Sequence, residues 1–459
     1  MEPEVIPVDC RVRQRRQALC CAGAGFLVAL LGLLWRQWPD WFVARFDVPY
    51  PHAIILNHYH YLLHKLPDLL LLGALVLFAL AGALWLAARK GVFAGAWWRV
   101  PVAVETILFV ALLAFDGWLS HRYWLAWGRP LWDDYARFGE IVHLALTSND
   151  PAVLPALWRF IGEYPHAPSP LTPALVAVGM FIVHNAAAVL MALNLAATAG
   201  SLWLLRAIVR RVSPATIFWP LGVLFLAHGA TARNCLFIQL DAINGFFVLL
   251  FFHLWLSWRE TRSSDRLMAM VVAIVLGVFQ KTTLFPLMAV PTLVELVESW
   301  RARKWEAKHL ATVALATAVV PAALFAFYIY RLEVGRNFQT QVELMGTGWN
   351  ILDFSLKRFV YATVLLLAPT LPLVALNRDR LRPPYLAFAL YILLFFGSIV
   401  AVRGPFWGRY YSHVLGAWLL LAAPGLALVE GEKSYRLPLC VFLAGTALVQ
   451  YALVFWNLM

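Results

Sequence analysis

What most constrains this chain is the recurrence of long apolar runs separated by short basic or polar ones. Thirteen such runs can be marked, at 19–36, 69–88, 100–119, 184–206, 215–231, 242–257, 266–280, 283–298, 309–329, 358–376, 385–402, 412–428 and 438–457. Most are about 16 to 23 residues long, the length a helix rising 1.5 Å per residue needs to cross roughly 30 Å of hydrocarbon. In hydrocarbon a helix satisfies its own backbone polar groups, so the expected fold class is all-α, a polytopic transmembrane helix bundle of about 13 spans. Composition agrees: 62% of the residues are hydrophobic and 14% charged, an apolar excess that excludes a soluble globular protein. The tryptophans at run edges, among them Trp35, Trp38, Trp97, Trp98, Trp124 and Trp127, read as interfacial anchors.

The net charge of +12 does not read as a nucleic-acid surface, because the Lys and Arg fall in short clusters between apolar runs. Alternate connections carry them: Arg11 to Arg16, Arg89 and Lys90, Arg206 to Arg211, Arg259 to Arg266, Arg301 to Lys308, Arg378 to Arg382, and Lys433 with Arg436. The positive-inside rule puts these in the cytoplasm and the connections 37–67, 120–183, 330–357 and 403–411 outside. The N-terminus is then cytoplasmic and the C-terminus external, with "RVRQRRQALCCAGAGFLVALLGLLW" an uncleaved anchor. Residues 171–206 are apolar for 36 positions, enough for two crossings, but two would leave Arg206, Arg210 and Arg211 outside. A short surface helix near 171–182 followed by one span is expected instead. Likewise 266–280 and 283–298 should form a tight helical hairpin with Gln280, Lys281 and Thr282 at its outer tip. The five cysteines have neither metal-site nor disulfide spacing and read as packing residues. Low charge, many tryptophans and no eukaryotic targeting signal point to a bacterial inner membrane with a periplasmic site.

Chemistry must then come from polar residues near the outer ends of spans. In "RPLWDDYARFGEIVHLAL" the pair Asp133 and Asp134 stands just past the third run. An Asp there makes a good helix N-cap; it equally makes a general base whose proton affinity the edge of a low-dielectric cavity raises. Both readings stand, since a cap needs one acid and there are two. Asp241 is either a second cavity acid or the cap of the helix beginning "AINGFFVLL". Glu140 and His143 follow the acid pair, and His166 lies in a Pro-rich segment. Asp133, Asp134 and one His could hold a divalent ion, but the cations available make no metal the preferred reading. The histidines of "YPHAIILNHYHYLLHKLPD" (His52, His58, His60, His64) read as interfacial residues covering the cavity.

"DDYARFGEI" followed by "YPHAPSPLTPAL" resembles the first outer loop of the GT-C glycosyltransferases, in the polyprenyl-phosphate-sugar-dependent branch that includes protein O-mannosyltransferases and lipid A aminoarabinose transferases. The order continues with "HNAAAVLMALNLAATAGSLWLLRAIVRR", "ARNCLFIQLDAINGFFVLLFF", "GVFQKTTLFPLMAVP" and "GRYYSHVLGAWLLLAAPGL", similar to later segments of that family. The resemblance covers about residues 100 to 430. It implies an inverting transfer from a polyprenyl-phosphate sugar to an acceptor hydroxyl on the outer face, with Asp134 or Asp133 as base. Lys281 and Arg409 match family motifs and would hold the donor phosphate, with Tyr410, Arg403, Arg331 and Arg336 as further candidates; His166, Asp241, Glu140 and His143 would line the cavity or acceptor side. It also implies two domains, an N-terminal pair of extra spans in 1–98 and a catalytic bundle in 99–459 that includes the loop 120–183. Expected partners are the lipid-linked sugar donor, a lipid-linked or glycan acceptor and membrane lipid, with no nucleic acid and no required cofactor. Departures are Tyr135 where the family often has a second acid and the two spans that precede the one leading into the acid pair. Two other readings compete: a transporter or flippase, and a polymerase or ligase of lipid-linked polysaccharide. The concentration of ionisable residues at outer ends disfavours the first.

Overall fold

The computed structural model describes residues 8–41, 53–90, 100–127, 134–148, 152, 153, 155, 171–236, 241–331, 367, 370–379, 382–401 and 411–456; at some helix ends, including 53–64 and 134–137, the description is of the backbone alone. These residues form seventeen α-helices and no strand. The first half of the order is α1 Val8–Gln37, α2 Ala53–Lys90, α3 Val102–Trp127, α4 Asp134–Thr147, α5 Leu171–Gly179, α6 Ala186–Val212, α7 Phe218–Leu226 and α8 Gly229–Leu236. It continues with α9 Asp241–Thr261, α10 Ser264–Gln280, α11 Pro286–Ala302, α12 Ala307–Ala314, α13 Val320–Arg331, α14 Leu371–Leu376, α15 Pro383–Ala401, α16 Tyr411–Gly431 and α17 Arg436–Trp456. Among the described residues eight helical stretches are long and apolar enough to cross a membrane: Arg11–Gln37, Lys65–Arg89, Val102–Arg122, Ala186–Val212, Asp241–Thr261, Ala307–Phe327, Tyr411–Gly431 and Arg436–Leu453.

The chain packs as two compact units. The first comprises Met1–Val110, Ala215–Ala232 and Gly425–Met459. In it α1 and α2 pack along their length, and Gly32 of α1 permits the approach: a Cβ there would stand 3.2 Å from the Pro67 carbonyl of α2. The apolar run 215–231 is not one span but breaks at Ala227 and His228 between α7 and α8. Side chains take over the backbone at the break, since Gly229 N–H donates to Gln450 Oε1 at 2.9 Å and Ala230 N–H to His228 Nδ1 at 3.1 Å. Such local polar partners make an interrupted helix tolerable in an apolar setting.

The second unit comprises Ala111–Pro214 and Arg233–Pro424. Its centre is α9, whose Phe251, Phe252 and Trp255 are fully buried, with Phe252 edge-on to Phe388 of α15 at 4.9 Å. Contacts in register set the helix directions. Gly200 meets Phe246 and Arg211 Nη1 donates to Ser257 Oγ at 2.7 Å, so α6 runs parallel to α9. Gly245 meets Ser412 and Gly416 meets Leu249, so α16 is parallel too, whereas Gly277 against Phe247 makes α10 antiparallel. One end of the unit therefore gathers the starts of α6, α9 and α16 with the finish of α10. The other gathers Arg210, Arg211, Arg259 and Arg262, with Arg259 paired to Glu298 at 2.6 Å and Arg262 to Glu295 at 3.1 Å.

Residues 171–206 divide as the charge argument expects: α5 stops at Gly179, and Asn185 caps α6 by accepting from Ala188 N–H at 2.9 Å. The turn at Lys281 also falls where expected, with Lys281 extended between α10 and a 3-10 turn at Thr282–Leu284. The helices beside it are not a tight hairpin. The following stretch, α12 to α13 through a π-turn at Leu315–Val319, packs against α10 and α11 instead, with Thr317 Oγ1 donating to the Met288 carbonyl at 3.2 Å.

Candidate functional site

Asp241 opens α9 at one end of unit 2 and is wholly buried. A buried carboxylate needs partners: the folded chain brings Lys281 and His413 from separate segments, and Asn244 stands one turn along the same helix. Lys281 Nζ donates to Asp241 Oδ1 at 3.0 Å, His413 Nε2 lies 2.9 Å from the same oxygen, and Asn244 Nδ2 donates to it at 3.2 Å. Asn244 Nδ2 and His413 Nε2 are 3.0 Å apart, and Ser412 Oγ donates to the Asp241 carbonyl at 3.2 Å. His413 and Asn244 are fully buried; the Lys281 side chain keeps 13% exposure. Two helix N-termini, those of α9 and α16, meet here, and their positive ends favour a negative charge. The arrangement anchors a lysine ammonium at the edge of a buried polar cluster.

Local structure explains each placement. α10 ends at Gln280, and the extended backbone at Lys281 (φ −161°, ψ 131°) turns its side chain off the helix toward α9. Asn244 shares the face of Asp241 because it is one turn further along α9. His413 lies in the first turn of α16, held beside α9 by the Gly245 and Gly416 contacts and edge-on to Phe395 at 5.3 Å.

The loop helix of the acid pair connects to this cluster. α4 and α5 run parallel, since Gly139 sits against Val176 and the Pro173 carbonyl while His143 Nδ1 bonds the Ala177 carbonyl at 3.0 Å. The start of α4, at Asp134, is five residues before Gly139, about 7.5 Å along the axis. It is thus at the same end of α5 as Thr172. Thr172 Oγ1 donates to Gln280 Oε1 at 2.8 Å and accepts from Gln280 Nε2 at 2.6 Å, both side chains fully buried. The next residue is Lys281. The helix starting at Asp134 and the lysine at the end of α10 therefore share one end of unit 2.

Of the other residues singled out in the sequence, Glu140 is exposed on α4 and His143 packs on α5, edge-on to Phe181 at 4.6 Å. Among the described residues no cluster of three His, Cys, Asp or Glu side chains could hold a metal ion. The side chains of Asp134 and Arg331, and residues Asp133, His166, Arg336, Arg403, Arg409 and Tyr410, lie outside the described residues. Sequence reading missed His413, Asn244 and Thr172, and placed Gln280 only at the turn beside Lys281. A signal existed for two of them: Asp241 and Asn244 are spaced for one helix face, and His413 is a polar residue inside an apolar run.

Fold and site define a multi-pass membrane protein with a buried Asp–Lys–His–Asn cluster at one end of its larger unit. No protein-family model matches the chain, and no curated protein or solved structure matches it.

Proposed function

We propose that the protein is an inverting, GT-C-type glycosyltransferase of a bacterial inner membrane, moving a sugar from a polyprenyl phosphate to an acceptor hydroxyl on the periplasmic face. The observation that carries this reading is the shared end of unit 2: the start of α4 at Asp134 and the turn at Lys281, joined through Thr172 and Gln280. The arginines at the opposite end support a periplasmic assignment by the positive-inside rule. Further spans beyond those eight, with the run 215–231 interrupted and α4 and α5 as an outer helical loop, belong to the same proposal.

A sugar on a polyprenyl phosphate is already activated. The acceptor oxygen attacks the anomeric carbon from the face opposite the phosphate, the carbon–oxygen bond to the phosphate breaks, and the leaving group keeps the electron pair as a phosphate anion. The acceptor proton goes to Asp134 or Asp133. Lys281, with Arg409, Tyr410, Arg403 and Arg331, stabilises the departing charge. In this scheme Asp241, His413 and Asn244 hold the lysine at its station, and the chemistry requires no metal. One base and backside attack give inversion at the sugar carbon.

A second reading, a proton-coupled transporter, draws on the same cluster, because a buried Asp, His and Lys in membrane helices is costly and commonly functional. Here the group lies at helix ends rather than mid-span, which favours transfer.

The test is release of polyprenyl phosphate from a labelled polyprenyl-phosphate sugar by purified protein in liposomes, with native membrane lipid extract as acceptor. Asp133→Asn or Asp134→Asn should reduce turnover by about 10²-fold or more with the protein still folded. Full activity of both variants would sink the proposal, and donor-independent solute flux would favour the transporter.

A further inference from the structure

The basic end of unit 2 carries an open cavity of about 690 Å³ for which sugar transfer has no use. It opens between the last turn of α9, the first of α10, the last turns of α11 and the start of α12. Its charged lining is balanced. Arg259 is taken up by Glu298 at 2.6 Å, Glu295 takes both Arg262 at 3.1 Å and His309 at 3.0 Å, and Arg262 also lies over the Trp258 ring at 4.5 Å. Lys304 and Glu306 remain: both line the cavity, both are exposed, and neither forms an ion pair with another described residue. A ligand that carries one negative and one positive group close together matches this pair.

The setting fixes the kind of ligand. Trp300 and Trp305, 67% and 59% exposed, flank the same turn, and indoles so placed mark the plane where hydrocarbon meets lipid headgroups. Ser263 and Ser264 stand at the pocket wall where the 17-residue α10 starts, Ser263 Oγ capping it by accepting from Arg266 N–H at 3.4 Å, so the wall includes the positive end of a helix. We propose that this cavity binds the headgroup of a phospholipid carrying both a phosphate and a primary ammonium. The phosphate sits against Lys304 and the α10 start, and the ammonium donates to Glu306. A purely anionic headgroup leaves Glu306 facing negative charge; a quaternary ammonium has no N–H to give it. The proposal is independent of the transfer reading.

The test is native mass spectrometry of the full-length protein in mixed micelles containing phosphatidylethanolamine, phosphatidylglycerol or phosphatidylcholine of matched chains. Phosphatidylethanolamine should be retained about tenfold over the other two. Lys304→Glu and Glu306→Lys should each remove that preference, and the double variant, with the charges exchanged, should restore most of it. Both positions are exposed, and Glu306 makes no side-chain cap bond at the start of α12, so thermal unfolding should shift only slightly and serves as the folding control. Equal retention of the three lipids, or retention unaltered by the single variants, overturns the proposal. Displacement of the lipid by soluble glycerophosphoethanolamine at comparable concentration overturns the assignment to a membrane lipid in favour of a free amine phosphate.

Discussion

Thr172 and Gln280 are 108 residues apart in sequence and fully buried against one another, the hydroxyl 2.8 Å from the amide oxygen and 2.6 Å from the amide nitrogen. This two-way bond fastens the loop helix α5 to the end of α10. Thr172→Val keeps the shape and strands both ends of the Gln280 amide, and should cost about 1–3 kcal/mol. Thr172→Ser should keep most of the stability. Thermal unfolding of the purified protein in detergent checks both.

Asp241 and Lys281 form a buried ion pair in which one carboxylate oxygen also meets His413 and Asn244. Removing one member takes an opposite charge from a group held largely away from water, so Asp241→Leu or Lys281→Met alone should be clearly destabilising, by up to about 3–5 kcal/mol. The double variant Asp241→Leu with Lys281→Met should lose distinctly less than the sum of the two. A double-mutant cycle on unfolding midpoints reads this directly, and strict additivity would show that the pair does not act as a unit.

Gly245 of α9 has the backbone of α16 against it: a Cβ there would stand 2.9 Å from the Ser412 carbonyl oxygen. In an uncrowded helix, replacing glycine by alanine gains about 0.5–1 kcal/mol. Here Gly245→Ala must push α9 and α16 apart beside His413, so the sign should reverse, with a lower melting temperature. Gly397→Ala in α15, where a Cβ would meet nothing within 4 Å, is the matched control and should be neutral or stabilising.

Much of the helical skeleton was legible in the sequence because each segment's apolar run is a local property. The division of 171–206 followed from three arginines that one more crossing would have exposed on the wrong side. The turn at Lys281 followed from a polar tripeptide between two apolar runs. Packing was another matter. No local pattern announces that Gln450 will capture Gly229 N–H and so break the run 215–231, or that α12 to α13 will pack against both α10 and α11. The cluster around Asp241 was half visible: the acid and the lysine drew attention as charges in apolar company, but His413 joins them only because Gly245 and Gly416 let α16 lie parallel to α9. Asp133 and the cations Arg403 and Arg409 lie outside the described residues, and their roles rest on the sequence alone.

Sugar transfer on the periplasmic side requires that the helix of the acid pair and the arginine-rich end of unit 2 face opposite compartments. Single cysteines at Glu140 and Lys304, both exposed, placed in a chain whose five native cysteines are replaced, can be labelled in sealed inverted and right-side-out vesicles with a membrane-impermeant maleimide. The account predicts that Glu140→Cys reacts only from the periplasmic side and Lys304→Cys only from the cytoplasmic side. Reaction of both from one side, or the reverse pattern, would contradict it.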